Sequence, residues 1–467
     1  MAKGASSVEI VGRYRVSPPP NTVPPTSLPL TFFDIPWLFF SPTKPLFFFD
    51  YPFPSSHFLS TALPPLIHSL SLTLQHFFPL AATLVCPPHS STPLIVYQKP
   101  DSVSLLVAQS NADFFHLSSN HQRCVNDFYP LLPPLPSKEQ EEIPLLAAQI
   151  TVFSNAGICM GFSYHNVVAD GRTFNSFIKT WASFFRDPSL VPINSSSLLP
   201  FYDRTVIKDS FGLQSIFLNH WRSSSRESSR RMIIGVSDSE SYSVSDMVRA
   251  TFLMCPADME NIKQWIVGRC KAKNMAQPPR LSPSNLTCAF VWVCLIKSHE
   301  KVNGNLIGKN PSYFGFNAGG LTRLGYRVPT TYFGNCIGFA RTMATQSELC
   351  GEDGIIVAAN AIGNRVNDLD EAVLDGAENW ISDWGVFYGS GSEPHVMVSG
   401  SPKLDFYETD FGWGRARKIE EISMDRAKGN AVWFTQSRDV KGGIEVGIAL
   451  AKAKMDAFAC FFTQLPN

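Results

Sequence analysis

Apolar residues in the first third of the chain follow two spacings, one typical of strands and one typical of helices. Val8–Val16 alternates between apolar and polar residues and predicts an opening strand, and the apolar runs Leu28–Phe33 and Leu46–Phe49 predict buried strands. From His57 to Phe78 apolar residues recur every three or four positions, which indicates helix. Because prolines interrupt this stretch, we expect a short helix and then a longer one that starts near Pro65.

Pairs of short apolar segments predict two hairpins. Leu94–Tyr97 and Val103–Ala108 are separated by a short polar connection. Gln149–Phe153 and Ile158–Tyr164 flank the turn-forming sequence Asn-Ala-Gly. After the second hairpin, Gly171–Phe185 places its large apolar side chains on one face, so we expect a helix that packs against a sheet.

The second half of the chain also mixes both kinds of element. A chain of 467 residues is too long for one ordinary domain. We therefore predict an α/β protein of two domains of similar build, with a site between them. The predicted helices are Ala257–Arg269 and about Ser284–His299, and the predicted strands are Val248–Met254, Tyr313–Phe316, Val396–Val398, Ala431–Phe434 and Ile444–Leu450.

A change of composition suggests where the domains meet. We place an N-terminal domain at residues 1–186, a crossover linker rich in Ser and Pro at 187–235, and a C-terminal domain at 236–467. The linker ends in a basic run from Arg222 through Arg226 and Arg230 to Arg231. A solvated loop accounts for these arginines, and contact with the phosphates of a cofactor is the alternative.

Composition excludes several classes of protein. Hydrophobic residues make up 44% of the chain and charged residues 17%, which indicates a globular protein with a large core. A net charge of zero argues against nucleic acid or an anionic membrane surface as a partner. No apolar run approaches the roughly 18 residues of a membrane helix. Without an apolar leader or a C-x-x-C pair, we expect reduced thiols and a cytoplasmic location.

The segment Ser163–Gly171, with the sequence S-Y-H-N-V-V-A-D-G, holds the candidate chemistry at a strand-to-helix turn. A neutral histidine such as His165 accepts protons near pH 7, and such a turn holds a base rigidly toward a pocket. Asp170 is suited to cap the helix or to stabilise the turn through an ion pair. Spacing alone leaves open whether His165 or Asn166 faces the pocket. We expect no metal site, because His165 and Asp170 lack a third ligand at metal spacing.

Other motifs give no support to other enzyme classes. Asp410-Phe411-Gly412 matches a kinase magnesium motif, but the chain has neither an H-R-D loop nor a glycine-rich loop before a V-A-I-K strand. A G-x-S-x-G nucleophile elbow is also absent from the sequence. Cys159, Cys288 and Cys336 lie in apolar runs, which is typical of core thiols rather than nucleophiles.

The whole chain resembles the plant BAHD acyltransferases, in particular the branch that acylates anthocyanins and other phenolic glycosides. The resemblance extends from the P-L-T-F-F-D sequence at residues 29–34 to the G-I-E-V-G sequence at 443–447. Its most specific parts are Y-F-G-N-C at Tyr332–Cys336 and D-F-G-W-G at Asp410–Gly414. Both follow the Asp170-Gly171 turn in the family's order, which makes chance agreement improbable.

This resemblance implies a chloramphenicol acetyltransferase-like fold, in which two similar mixed-sheet domains enclose a channel at their interface. Acyl-CoA as co-substrate enters from one side, and a hydroxyl or amine acceptor enters from the other. In the family motif H-x-x-x-D-G the histidine takes the acceptor's proton, whereas the aspartate is structural and pairs with an arginine of the second domain. The D-F-G-W-G motif, here Asp410, Phe411, Gly412, Trp413 and Gly414, is structural and lies outside the channel. We expect a monomer with no permanently bound cofactor.

The chain departs from the family pattern at two points. Counting back from Asp170 puts Asn166 at the position of the catalytic histidine, and an amide cannot act as a base near neutral pH. The family's Asp-Cys-Arg segment is replaced by residues 319–321, Gly-Gly-Leu, so the usual arginine partner of Asp170 is missing. Arg323 is the candidate substitute, because it shares a strand face with Leu321.

Further candidate roles concern His165, Arg172 and Tyr332. If the chain is extended at residues 165 and 166, His165 points away from the channel, which favours a structural histidine over a substitute base. Arg172 at the helix start is a candidate to bind the carboxylate of a malonyl donor, and a solvated arginine is the alternative. Tyr332 is a second candidate for contact with substrate.

Three functions fit this pattern. The first is an acyl-CoA-dependent O-acyltransferase of plant specialised metabolism that acts on a phenolic or glycosylated acceptor without the usual base. The second is a lyase, isomerase or cyclase on the same scaffold, which can work by positioning and hydrogen bonds. The third is a non-catalytic binding protein. Family membership favours the first.

Overall fold

The computed structural model describes residues 7–86, 92–135, 142–190, 199–223, 246–304, 310–388, 394–423, 425 and 430–466. Its strands, in chain order, are β1 Val8–Val16, β2 Thr26–Pro29, β3 Pro45–Asp50, β4 Thr83–Val85, β5 Leu94–Tyr97, β6 Val103–Ser110, β7 Arg123–Cys124, β8 Glu142–Pro144, β9 Leu146–Phe153, β10 Gly157–Tyr164, β11 Met247–Met254, β12 Pro311–Gly319, β13 Ile337–Thr345, β14 Val396–Gly400, β15 Lys418–Glu421, β16 Asn430–Gln436 and β17 Ile444–Ala451.

The longer helices of the described part are α1 Leu63–His76, α2 Gly171–Arg186, α3 Leu213–Ser223, α4 Pro256–Ala272, α5 Pro283–Asn303, α6 Gly354–Glu371, α7 Trp380–Tyr388 and α8 Lys452–Phe462. Shorter helical segments include Ile35–Phe39, Ser55–His57, Phe114–Leu117 and Gln346–Cys350. Helices α1 and α2 pack against each other, and α5 packs against α4, α6 and α8.

Two large mixed sheets organise the molecule. One has six strands in the order β1-β6-β9-β10-β3-β15, and the other has seven in the order β13-β12-β14-β16-β17-β11-β7. Most neighbours are antiparallel, but β6 runs parallel to β9, and β14 runs parallel to both β12 and β16. A smaller sheet has four strands in the order β2-β5-β4-β8. The predicted α/β architecture of two mixed-sheet domains is therefore confirmed.

Several predicted elements match the structure closely. Strand β1 has the predicted bounds, and β9 and β10 form the predicted antiparallel hairpin. Helix α2 begins at the predicted Gly171 and ends at Arg186. The proline-interrupted stretch is helical from Ser55, and its longer helix α1 starts at Leu63.

Two predicted elements are wrong. The strand expected at Leu28–Phe33 ends at Pro29, because the Asp34 carboxylate accepts hydrogen bonds from Thr31 and closes a turn there. Strands β5 and β6 do not pair with each other: β5 pairs with β2 and β4, whereas β6 pairs with β1 and β9. Alternation of apolar residues identifies a strand but not its partner.

Each large sheet receives a strand from the other half of the chain. Strand β15 pairs antiparallel with β3 in the six-stranded sheet, although it lies within the predicted C-terminal domain at 236–467. In return, the short strand β7 pairs with β11 in the seven-stranded sheet. The predicted boundaries at 186 and 236 therefore do not separate the two sheets. The predicted linker also contains helix α3.

A buried ion cluster holds the exchanged strand. Glu420 of β15 lies 2.8 Å from Arg123 Nη1 and 2.6 Å from Arg249 Nε, and Arg249 also pairs with Asp425. These side chains are at most 4% exposed. Burial alone would raise the pKa of Glu420, but Arg249, Arg123 and Lys418 together lower it to about 2. The carboxylate is therefore charged at neutral pH and balances two buried guanidinium groups.

We expect Glu420→Gln to lower the free energy of unfolding by about 3–5 kcal/mol, because it removes the carboxylate that pairs with buried Arg123 and leaves Arg249 with Asp425 alone. Urea unfolding followed by fluorescence measures this loss. The matched control is Glu408→Gln, since Glu408 pairs with Arg415 at 3.1 Å while both side chains are about half exposed. The control substitution should lower the free energy of unfolding by less than about 1 kcal/mol. A similar small loss for Glu420→Gln would contradict this role of the cluster.

Candidate active site

The turn between β10 and α2 lies beside the loop that precedes β3. The backbone N–H of Thr43 donates to the carbonyl of Tyr164 at 2.8 Å, and the N–H of Tyr164 donates to the carbonyl of Thr43 at 3.0 Å. This two-way bridge fixes the end of β10 against residues 41–43. The residues that follow Tyr164 therefore stand next to Ser41 and Thr43.

His165 is buried in the turn, with no exposed surface. Its backbone N–H donates to the Leu145 carbonyl at 2.9 Å, and its own carbonyl accepts from the N–H of Val168 at 3.1 Å. A fully buried imidazole has no face open to a substrate. The burial supports the structural interpretation of His165 over a role as substitute base.

Asn166 is partly exposed, and both ends of its amide are held. Nδ2 donates to the Ser41 carbonyl at 3.2 Å, and Oδ1 accepts a hydrogen bond from the Thr43 hydroxyl. Because a backbone carbonyl can only accept, Nδ2 must be the atom that faces Ser41. The backbone carbonyl of Asn166 accepts from Asn335 Nδ2 at 2.9 Å. The amide is thus fixed in one orientation.

Asp170 is buried and joins the turn to the Y-F-G-N-C segment. Its Oδ1 accepts the N–H of Thr173 at 2.8 Å, so the side chain caps α2. Its Oδ2 accepts the N–H of Cys336 at 3.3 Å and lies 3.5 Å from Arg172 Nη2. These contacts favour a structural role for Asp170.

Arg172 reaches from the start of α2 to the backbone of the other half of the chain. Nη1 donates to the Thr330 carbonyl and Nη2 donates to the Tyr332 carbonyl, both at 2.7 Å. The side chain is 27% exposed. Two of its nitrogen atoms bind carbonyl groups of the protein. The geometry of Arg172 therefore favours a structural link between the two halves of the chain over binding of a malonyl carboxylate.

Arg323 does not take the place of the missing arginine. Its Nε lies 2.6 Å from Asp370 Oδ1, and its Nη1 donates to the Gly319 carbonyl at 3.0 Å. The structure pairs Asp170 with Arg172 instead, which corrects the expectation for Arg323. Arg172 is two residues from Asp170 in sequence, so this ion pair lies within one half of the chain, and the two halves are joined through carbonyl groups.

A buried carboxylate lies beneath the turn. Asp34 has no exposed surface, and its Oδ2 accepts from the Thr31 N–H and hydroxyl at 2.8 Å each and lies 3.2 Å from Arg204 Nη1. Its Oδ1 accepts from the Asn335 backbone N–H at 3.1 Å and from Asn335 Nδ2 at 3.0 Å. Asp34 therefore joins three segments that are distant in the sequence.

Tyr332 is fully buried against Arg204, which corrects the expectation that it contacts substrate. Arg204 Nη1 lies 3.0 Å from the Tyr332 hydroxyl, and the guanidinium stands over the ring at 5.5 Å from its centre. Gly334 makes this approach possible, since a Cβ there would lie 2.2 Å from Arg204 Nη1 and the backbone has a φ of +131°. Tyr332 and Gly334 therefore contribute to packing around Arg204.

The D-F-G-W-G loop packs on the half of the molecule that contains α2. Asp410 Oδ1 accepts the N–H of Gly412 at 2.7 Å and the N–H of Gly414 at 2.9 Å, which closes the loop on itself. Phe411 is 1% exposed, and its ring lies 5.6 Å from that of Trp181 and 5.4 Å from the stacked ring of Trp413. These contacts support a structural role for the motif.

The candidate cysteine thiols are not suited to act as nucleophiles. Burial, and then the charge of Asp170, raises the pKa of the Cys336 thiol to about 12. Burial also raises the pKa of the Cys288 thiol to about 12.

The described residues contain no group of three or more His, Cys, Asp and Glu side chains placed to hold a metal. In the same part of the chain, no helix is long and apolar enough to cross a membrane.

Sequence reasoning missed Ser41, Thr43, Asp34 and Arg204 as parts of the site. Asp34 lies in the segment where the family resemblance begins, but no local pattern connects it to Asn335. Arg204 lies in the predicted linker. In the same segment, Phe201 forms a backbone bridge with Tyr332. Of the basic run, Arg222 lies in the last turn of helix α3, and Arg226, Arg230 and Arg231 lie outside the described residues.

Known proteins share this fold over nearly the full chain. A crystal structure of vinorine synthase matches 97% of this chain and 96% of its own, with a TM-score of 0.65 and 18% identity. The crystal structure of F. sporotrichioides TRI101 complexed with coenzyme A and T-2 covers 92% of this chain and 96% of its own, with a TM-score of 0.65 and 16% identity. At these identities the likeness concerns the fold.

Sequence comparison is more specific. The chain is 36% identical over 454 residues to a malonyl-coenzyme:anthocyanin 5-O-glucoside-6'''-O-malonyltransferase from Salvia splendens, a match that covers 94% of this chain and 92% of that protein. It is also 36% identical to a coumaroyl-CoA:anthocyanidin 3-O-glucoside-6''-O-coumaroyltransferase from Arabidopsis thaliana, with 98% and 97% covered. The model of the Transferase family matches residues 6–464. The chain therefore belongs to the Transferase family, the BAHD acyltransferases, and is an enzyme of the transferase class.

Proposed function

We propose that this protein is an acyl-CoA-dependent O-acyltransferase of plant specialised metabolism that acts on a phenolic or glycosylated acceptor, with an amide where its family has a base. The names of its relatives support this proposal, because they transfer malonyl or coumaroyl groups from coenzyme A to anthocyanin glucosides. The match covers 94% or more of this chain in each case. A monomer in the cytoplasm is part of the same proposal.

The reaction requires one proton to leave the acceptor. The acceptor oxygen attacks the thioester carbonyl, the carbon–sulfur bond breaks, and coenzyme A leaves as a thiolate that takes a proton. Asn166 cannot receive the acceptor's proton, but its amide can orient the acceptor or donate to oxygen atoms that gain charge. Binding the two substrates in the correct geometry supplies the rest of the rate enhancement.

The observation that carries the proposal is the hydrogen bond from Asn166 Nδ2 to the Ser41 carbonyl. A histidine that acts as a base is commonly oriented by a bond from Nδ1–H to a backbone carbonyl, which leaves Nε2 free to accept a proton. The Ser41 carbonyl stands where it would orient such a histidine. This supports the proposal, because a base at position 166 would have an orienting carbonyl beside it.

We expect Asn166→His to raise kcat/KM for an aliphatic hydroxyl acceptor by about 10²–10⁴, the usual contribution of a general base. Its pH profile should gain an inflection near the ordinary histidine pKa of about 6.5, with activity lost below it as the base becomes protonated. The assay measures coenzyme A release and product mass with malonyl-CoA or coumaroyl-CoA and a glucoside acceptor.

The matched control is Asn219→His, which introduces an imidazole at an exposed position of α3 and should leave the rate unchanged. If the natural protein transfers no acyl group, even where Asn166→His clearly does, the proposal is wrong. Conversion of a substrate without coenzyme A would point to the alternative chemistry of a lyase, isomerase or cyclase. Binding of substrate without any turnover would point to a binding protein.

We expect Thr43→Val to lower kcat/KM of the natural protein roughly fivefold, because the amide of Asn166 loses one neutral hydrogen bond of about 1 kcal/mol. Thr43→Ser keeps a hydroxyl at this position and should stay within about twofold of the natural rate. Thermal unfolding of both variants separates orientation of the amide from general loss of stability. Equal loss of activity in the two variants would show that the hydroxyl has no role.

A further inference from the structure

We infer that the atom acylated by this protein is the oxygen of an acidic hydroxyl group, a phenol, that ionises without a base in the protein. The inference rests on the proposed function and specifies the acceptor within it. The structure supports it through the chemistry of the described residues that bind Asn166 or lie next to it.

The turn itself offers no base that a substrate can reach. His165 is fully buried. Asp170 faces the start of α2, where its carboxylate accepts from the backbone of Thr173 and Cys336 and lies beside Arg172. Tyr164, at the end of β10, is 4% exposed, and burial first of all raises the pKa of its hydroxyl. His165 is therefore inaccessible, the carboxylate of Asp170 is bound within the protein, and the hydroxyl of Tyr164 is protonated at neutral pH.

The described residues of the loop before β3 and of β15 offer no such base either. In the loop before β3, Thr43 contributes a hydroxyl, and Lys44 contributes an amine, a group that is ordinarily a cation at neutral pH. Glu421 of β15 lies near this loop and accepts the Lys44 N–H at 3.4 Å, but it is 8% exposed and accepts the Ser423 N–H at 2.8 Å.

The Y-F-G-N-C segment at residues 332–336 also contributes no base that a substrate can reach. Asn335 contributes an amide that binds the Asn166 carbonyl, and the buried Cys336 is a protonated thiol at neutral pH. Asp34 beneath them has no exposed surface and is paired with Arg204. The described surroundings of Asn166 therefore contain amides, hydroxyls and cations, together with carboxylates already bound within the protein.

Acidity of the acceptor decides which hydroxyl can react in such surroundings. A phenol with the tyrosine-like pKa of about 10 is ionised to about one part in 10³ at pH 7. A hydroxyl with a water-like pKa of about 16 is ionised to about one part in 10⁹. The difference of about six orders of magnitude exceeds the 10²–10⁴ that a general base normally supplies. A site without a base thus strongly favours the phenol.

The held amide is suited to an anionic oxygen. An amide nitrogen carries two hydrogens, and one of those on Asn166 Nδ2 is used by the Ser41 carbonyl. The other can donate to a phenolate or to the oxygen of the tetrahedral intermediate. The phenol gives its proton to water, the phenolate oxygen forms the new bond to the acyl carbon, and the thiolate of coenzyme A leaves and later takes a proton from water.

The test compares substituted phenols with pKa values from about 7 to about 10 and benzyl alcohol as the matched aliphatic acceptor. Each is assayed with malonyl-CoA and coumaroyl-CoA between pH 6 and 10, with the natural protein and Asn166→His. For the natural protein, kcat/KM should rise tenfold per pH unit and level off at the pKa of each phenol. Benzyl alcohol should react at least 10³-fold more slowly. Asn166→His should raise kcat/KM for benzyl alcohol by about 10²–10⁴, and kcat/KM for the most acidic phenol by less than tenfold.

Two results would overturn the inference and leave the proposed function intact. The first is an inflection at the same pH for every phenol, which would reveal a base in the protein. The second is acylation of benzyl alcohol or of a glucose hydroxyl as fast as that of the phenols. A different result would overturn the proposed function itself. In that case neither the natural protein nor Asn166→His acylates a phenol or benzyl alcohol, and calorimetry detects no binding of coenzyme A.

Discussion

The buried negative charge of Asp34 is the constraint on which the geometry of the site depends. A carboxylate without solvent contact needs a counter-charge and hydrogen-bond donors, and Arg204, Thr31 and Asn335 provide them. Asn335 also binds the backbone carbonyl of Asn166. The position of the amide in the turn is therefore set by an ionic cluster built from three distant segments, and Gly334 is small because Arg204 passes so close to it.

The halves of the molecule are joined in ways that keep the turn and its surroundings in a fixed relation. Strand β15 enters the sheet that contains β3 and β10, and its Glu420 is held by buried arginines from β7 and β11. Arg172 binds carbonyl groups at residues 330 and 332 from the opposite direction. Since the site lies where these segments meet, its rigidity comes from the exchange of elements between sheets as much as from the turn itself.

Local periodicity was enough to predict the hairpin of β9 and β10, helix α2 and the turn between them, because these elements are consecutive in the sequence. It failed where partners are distant, as for β5 and β6. It also missed helix α6, since Ile355-Ile356-Val357 is a β-branched run typical of strands. Counting residues placed Asn166 at the base position, but no pattern could show that Ser41 and Thr43 hold its amide or that Asp170 pairs with Arg172.

The hydrogen bond between Asn166 and the Ser41 carbonyl has an evolutionary consequence. Codons for asparagine and histidine differ in a single base, and here the two side chains would share the same orienting carbonyl. A lineage can therefore exchange one for the other in one mutational step without rebuilding the loop before β3. Selection on the acidity of available acceptors, rather than on the fold, would then decide which of the two side chains persists.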